Sequence, residues 1–179
     1  MRLRTATLLL AALGLLTAGC SGDKKPQTLP SLTPTPSATA TPVVIPSAAT
    51  VHDAYGAAAF VRFYYDQLNV AFGKADPAAL RQLSDPECGT CKSYITAAED
   101  FRTAGQHVEG TSARVLTAEA PPEQNGVVAV DVFFDSPPRR IVDSAGKTVK
   151  QLPAVARFHR TVFVGRVDGG WLLRAVKDA

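Results

Sequence analysis

The chain has 179 residues, 46% of them hydrophobic and 20% charged, which is the balance of an ordinary globular protein and excludes a fibrous or wholly disordered one. The formal net charge is +3, and losing Arg2 and Arg4 with an N-terminal leader would lower it by two. A balance so near zero gives no field for gripping nucleic acid, so that class of partner is set aside.

Residues 1–19 have the layout of a secretory leader. Arg2 and Arg4 open it, and residues 8–16 are a run of Leu, Ala and Gly. Such a run suits the apolar centre of a signal peptide and is too short to span a bilayer. It ends in Leu16-Thr17-Ala18-Gly19-Cys20, which resembles the lipobox of bacterial lipoproteins. That resemblance implies a diacylglyceryl thioether on Cys20 and cleavage after Gly19. Two acyl chains meet the requirement for stable anchoring, because each buried methylene contributes roughly 0.8 kcal/mol. The expected location is the outer face of a bacterial cytoplasmic membrane, and the expected first partner is that membrane.

Residues 20–49 are rich in Pro, Thr, Ser and Ala, with Pro26, Pro30, Pro34, Pro36, Pro42 and Pro46 at short intervals. Proline at that spacing forbids a helix, and no apolar period is present to build a core. The segment is expected to be a disordered spacer of polyproline-II character, averaging roughly 30 Å as a coil. It would lift the following domain, residues 50–179, away from the membrane. That length suits one core, so a single domain is expected.

The first half of the domain reads as helical. Thr50-Val51-His52-Asp53 matches a capping box. Phe60, Phe63, Tyr64, Leu68, Ala71 and Phe72 then fall on one face at helical spacing, with Arg62, Asp66 and Asn69 pointing away and Gly73 as the stop. Asp76-Pro77 opens a short second helix. A third is expected over residues 93–104, with Tyr94, Ala97, Ala98 and Phe101 sharing a face.

Cys88 and Cys91 form a CxxC between the second and third helical patterns. In an exported chain such a pair is oxidised by default. Three readings compete. A structural disulfide would staple the inter-helix turn, contributing about 2 kcal/mol on the chain-entropy argument. A redox pair would normally follow a strand, and here a helical pattern precedes it. A zinc site would need two further ligands, while His52, His107 and His159 are far apart in sequence. No metal and no cofactor is assigned.

After Gln106 the apolar period changes to two. Residues 108–119 read as one long strand and Asn125-Gly126 as a turn. In residues 126–135, Val128, Val130, Val132 and Phe134 face one way, with Asp131 and Phe133 on the other. Residues 139–142 and 147–152 form a hairpin, 155–167 a long strand, and residues from Trp171 a last strand in which Trp171, Leu173 and Ala175 share a face. If the strands holding Asp131 and His159 pair, the two groups come close enough for general acid–base work; a solvated ion pair is the simpler outcome. Among the polar members of the sheet faces, Asp131, Asp135, Arg157 and His159, the pocket candidates are Asp131 and His159.

Three helices followed by a curved, mostly antiparallel sheet define an α+β class. The aromatic helix Phe60 to Phe72, the Asp76-Pro77 helix and the terminal Gly170-Trp171-Leu172-Leu173 strand resemble the nuclear-transport-factor-two-like cone. Residues 58–95, with Asp85-Pro86-Glu87-Cys88-Gly89-Thr90-Cys91, resemble an actinobacterial lipoprotein family known as domain of unknown function 6318. The resemblance implies a cone with a pocket between helices and sheet, and it implies no activity. Enzymes on this cone place Asp and His in the pocket, but no motif here matches theirs residue by residue. The leading expectation is therefore a non-enzymatic envelope module binding a protein, glycan or small ligand. The alternatives are a small isomerase, cyclase or hydrolase using the pocket, and a thiol–disulfide oxidoreductase using Cys88 and Cys91. An amphipathic sheet face is also a candidate homodimer surface.

Overall fold

The computed structural model describes residues 42–179. The leader, Cys20 and most of the spacer lie outside the described residues. Three helices, α1 (Ala54–Lys74), α2 (Ala78–Leu83) and α3 (Gly89–Thr103), precede seven strands. The strands are β1 (Gln106–Glu109), β2 (Arg114–Glu119), β3 (Val127–Ser136), β4 (Arg139–Asp143), β5 (Thr148–Leu152), β6 (Val155–Val167) and β7 (Gly170–Asp178). They form two antiparallel sheets rather than one: β2-β3-β6-β7 and β1-β4-β5.

The core follows the two apolar patterns that the sequence displays most plainly. Val128, Val130, Val132 and Phe134 of β3 are all buried, and Val162 and Val164 of β6 lie beside them. Phe60, Tyr64, Leu68 and Ala71 of α1 cover that face, joined by Ala57, Val61 and Tyr65. The Tyr64 hydroxyl would be stranded in this layer without a partner, and it meets Ser84 Oγ at 3.0 Å. The segment containing Ser84 runs beside β7, where Asp85 N donates to Leu173 O at 2.9 Å.

The residues leading into α1 belong to the domain, contrary to the expectation of a spacer through residue 49. Val43 and Ile45 pack on the core, and Ala49 is buried in a short 3₁₀ turn, Ser47–Thr50. This strap is fixed by Val51 O, which accepts from Trp171 Nε1 at 3.0 Å, and by His52 Nε2, which donates to Gly169 O at 2.8 Å. It crosses α1 so closely that a Cβ on Gly56 would lie 1.9 Å from Val51 O.

Several boundaries differ from the sequence reading, each for a local reason. Thr50 donates to Ser47 O within the 3₁₀ turn, and the helix cap is Asp53, which accepts from Gly56 N at 2.8 Å. Helix α1 passes through Gly73 and ends at Ala75, which takes the left-handed conformation at φ 52°. Helix α3 starts at Gly89, so the CxxC forms its N-cap and first turn rather than a separate inter-helix turn. In β7 a bulge after Leu173 moves Val176, not Ala175, onto the core side, where it packs on the buried cluster.

The largest departure is at residues 108–119, which are two strands in two different sheets. The break is at Gly110, with φ 103°, where a Cβ would meet that of Arg139 at 3.0 Å. What holds the break is Asn69 of α1, expected to point away from the core. Its Oδ1 accepts from Ser112 N at 2.9 Å and Ala113 N at 3.0 Å, and its Nδ2 donates to Ala113 O at 2.8 Å. One side-chain amide therefore satisfies the backbone groups that a continuous ladder would have used. Asn69→Ala is expected to cost about 2–4 kcal/mol, since three backbone partners lose roughly 0.5–1.5 kcal/mol each. Urea unfolding checks this; a loss below about 0.5 kcal/mol would show that the break is held by Gly110 alone.

Candidate functional site

A cavity of about 700 Å³ opens where the two sheets part beneath α1 and α3. That is the size range of small-molecule sites. Strand β3 supplies its floor up to Phe134 and Ser136, and Pro137-Pro138 then turns the chain so that Arg139 enters it from β4. The same stretch of backbone thus serves both sheets, and the gap between them is left unfilled.

The wall is predominantly aromatic. Phe72 of α1 packs edge-on to Phe101 of α3 at 5.7 Å between ring centroids, and Phe134 stacks on Phe158 of β6 at 5.3 Å. Tyr65 leans on Phe134 at 4.4 Å. The polar groups are fewer and mostly donors. Arg160 Nη1 donates to Tyr94 Oη at 3.1 Å, and its Nε faces Asp178 Oδ1 at 3.0 Å. Ser136 Oγ donates to Ser112 O.

Burial shifts both tyrosines on this side of α1. The Tyr64 hydroxyl is pushed up to about 12 by desolvation, partly offset by the Ser84 hydrogen bond. Tyr65 is raised well above the ordinary range, first by desolvation and then by the neighbouring Tyr94. The Tyr65 and Tyr94 hydroxyls are neighbours, but Tyr65 Oη makes no hydrogen bond of proper geometry. At the outer edge, Arg114 holds Asp135 below the usual carboxylate range through a hydrogen bond.

The structure brings Asp131 and His159 together, on the face of the sheet turned away from the helices. Strands β3 and β6 pair with Phe133 opposite His159 and Asp131 opposite Thr161. His159 Nε2 lies 3.4 Å from Asp131 Oδ1, and Thr161 Oγ1 donates to Asp131 Oδ1 at 3.0 Å. The His159 ring stacks on Phe133 at 4.4 Å, and the Arg157 guanidinium lies 4.1 Å from the same ring. His159 borders the cavity, yet its ring belongs to this outer cluster, and the Asp131 side chain is 55% exposed. The pair is a cross-strand contact between an exposed carboxylate and a ring whose Nε2 is covered.

Cys88 and Cys91 have their sulfurs at bonding distance, and both residues are fully buried. Cys88 Sγ accepts from Cys91 N at 3.2 Å at the start of α3. Buried sulfur cannot meet an incoming thiolate without local opening, which favours the staple over the redox reading. Among the described residues no three His, Cys, Asp or Glu side chains approach closely enough to hold a metal ion. Among them too, no helix is long and apolar enough to cross a membrane.

The sequence reading missed Tyr65, Arg139 and Arg160. For Arg160 a signal was present. It occupies the inward register of β6 between Phe158 and Val162, a position where a charge demands a reason. Arg139 gave none, because its direction depends on the change of sheet at Pro137-Pro138.

Two measurements follow from this geometry. Under native conditions dithiothreitol should leave Cys88–Cys91 intact, and replacing both cysteines by serine should cost about 2 kcal/mol; rapid reduction of the folded chain, followed by free-thiol labelling, would restore the redox reading. The raised Tyr64 value means that the folded state favours the protonated hydroxyl. Its contribution is complete below the unfolded value near 10 and is lost as pH rises towards 12. Stability should therefore fall between those values, and absorbance at about 295 nm should show Tyr64 ionising only there or on unfolding; a Tyr64 difference spectrum complete by about pH 10 would contradict it.

No curated protein matches the chain. Among solved structures, the intermembrane space region of chloroplast protein ARC6 is 13% identical, covers 72% of this chain and 97% of its own, and superposes with a TM-score of 0.53. Aln2 from a Streptomyces species is 11% identical over 65% of this chain and 84% of its own, with a TM-score of 0.43. A protein of Novosphingobium aromaticivorans provisionally named a scytalone dehydratase is 12% identical over 66% and 81%, at 0.44. At 13% identity the likeness to the ARC6 region is one of fold alone, three helices packed on antiparallel sheet. Residues 33–177 match the family of unknown function DUF6318, and the chain belongs to that family.

Proposed function

We propose that this chain is a lipid-anchored envelope protein whose domain binds a small ligand in its cavity and does not transform it. The anchor is the diacylglyceryl thioether on Cys20, and the spacer runs from there to about residue 42. The support for this half is the leader, the Leu16-Thr17-Ala18-Gly19-Cys20 pattern and the proline spacing.

The observation that carries the binding half is the content of the cavity. Its wall is aromatic, with arginine and tyrosine donors at its edge, and of the acid–base candidates His159 borders it with its ring stacked on Phe133 and turned to Asp131, on the other face of the sheet. Apolar walls with a few oriented polar groups are what a binding site needs. An isomerase or cyclase would instead need a free proton acceptor facing the substrate, and Asp178, a carboxylate on this wall, is largely exposed and engaged with Arg160 at 3.0 Å.

Both halves are testable in the cell that makes the protein. Cys20→Ala should move the chain from the membrane fraction to the soluble fraction and abolish incorporation of labelled palmitate; retention of both would overturn the anchor. Native mass spectrometry of the chain purified from its own membranes should show a small-molecule adduct that Leu152→Trp, which fills the cavity, removes. Recovery of the adduct unchanged after incubation supports binding, and conversion to a product would make the domain an enzyme.

A further inference from the structure

Five buried side-chain atoms among the described residues lack a hydrogen-bond partner: Tyr65 Oη, Arg139 Nη1, His159 Nε2, Arg160 Nε and Arg174 Nε. Four of them belong to residues that line the same aromatic cavity, and with His159 Nε2 turned to Asp131 Oδ1 at 3.4 Å, three remain there, on Tyr65, Arg139 and Arg160. Arg160 Nε faces Asp178 Oδ1 at 3.0 Å but is out of line for a hydrogen bond. All three groups are donors. Buried donors without acceptors are costly, and natural proteins keep few of them. Their concentration at one cavity calls for something that brings acceptors and no donors.

We propose that the cavity takes an amphipathic organic anion: a rigid, largely apolar body seated among Phe72, Phe101, Phe134 and Phe158, and one anionic head group on Arg160 and Tyr65. This rests on the reading of the cavity as a binding site and adds the chemistry of its ligand. Arg160 is already held for the task, since its Nη1 is fixed on Tyr94 Oη. Its present counter-ion, Asp178, sits near the end of β7 with a side chain 86% exposed, against 30% for Arg160. An exposed aspartate returns to water at little cost, so a ligand head group exchanges for it on the guanidinium. Arg139 Nη1 offers a further charged donor on the same wall. Burial keeps the Tyr65 hydroxyl protonated, hence a donor.

The test uses two probes with one body. Anilinonaphthalene sulfonate and uncharged N-phenylnaphthylamine share their rings and differ by the sulfonate. Both would be titrated by fluorescence against the full chain carrying Cys20→Ala, with Arg160→Gln, Tyr65→Phe and Asp178→Asn made in the same background. The sulfonate should bind one to one and at least about tenfold more tightly than the neutral probe. Arg160→Gln should remove most of that margin and leave the neutral probe's affinity alone. Tyr65→Phe should weaken the sulfonate and raise the melting temperature of the free protein, because an orphan donor is gone. Asp178→Asn should tighten the sulfonate, and it does so without touching the core, which separates a lost contact from a lost fold. Equal affinities for the two probes, displaced together by Leu152→Trp, would overturn the anion while leaving the binding site in place. A sulfonate affinity indifferent to both Arg160→Gln and Asp178→Asn would overturn it as well. Failure of both probes to bind would overturn the site itself.

Discussion

The contact between the apolar stripe of α1 and the valine row of β3 sets the other elements in place. Val128, Val130 and Val132 are fully buried under Phe60, Tyr64 and Leu68, and each such side chain contributes roughly 1.5–3 kcal/mol. No other pair of elements in the domain joins two patterns so regular. The row holds only as far as Phe134. Beyond it, Ser136 and the two prolines stop the strand, because proline cannot donate to a ladder. Arg139 then begins a strand that pairs with β1 and β5 instead. The cavity lies at this point of divergence, where the inner face of one sheet ends and no side chain reaches across to the other.

The elements legible in the sequence were those fixed by their own periodicity. The stripe of α1, the alternation of β3 and the run of β6 all stand in the structure as their apolar spacing requires. So do the Asn125-Gly126 and Asp168-Gly169 turns, in which all four residues have positive φ. The misreadings share a different origin. Residues 108–119 alternate well enough for one strand, and only a side chain forty residues earlier, Asn69, reveals why the chain breaks there. The strap before α1 looks like spacer because Val43-Val44-Ile45 is a short apolar run between Pro42 and Pro46, and Ala49 follows among small residues. Their burial depends on Trp171 and Gly169, more than a hundred residues away.

The site was less legible than the fold, for a physical reason. Polar residues on a strand advertise themselves equally whether they face water or a cavity, and the outward Asp131 and His159 drew the eye before the inward Arg160. Alternation alone places them: Asp131 lies between two buried valines, and Arg160 lies in register with Phe158 and Val162. What alternation does not supply is the void. That depends on where the two sheets part, and on Phe72 packing on Phe101, and Phe134 on Phe158, around a gap instead of into it.

A domain of this size can leave a cavity open only if its stability is secured elsewhere. The fastenings are gathered along the first half of α1 and the start of β7. Gly56 admits the strap, Trp171 binds it, Tyr64 meets Ser84, and the buried Cys88–Cys91 pair fixes the start of α3 close to Leu173. The second half of α1, from Tyr65 through Leu68 to Phe72, turns its side chains to the cavity. One helix therefore divides the labour along its length. Its N-terminal turns meet the strap and Ser84, while its C-terminal turns line the cavity and, through Asn69, hold the break between β1 and β2.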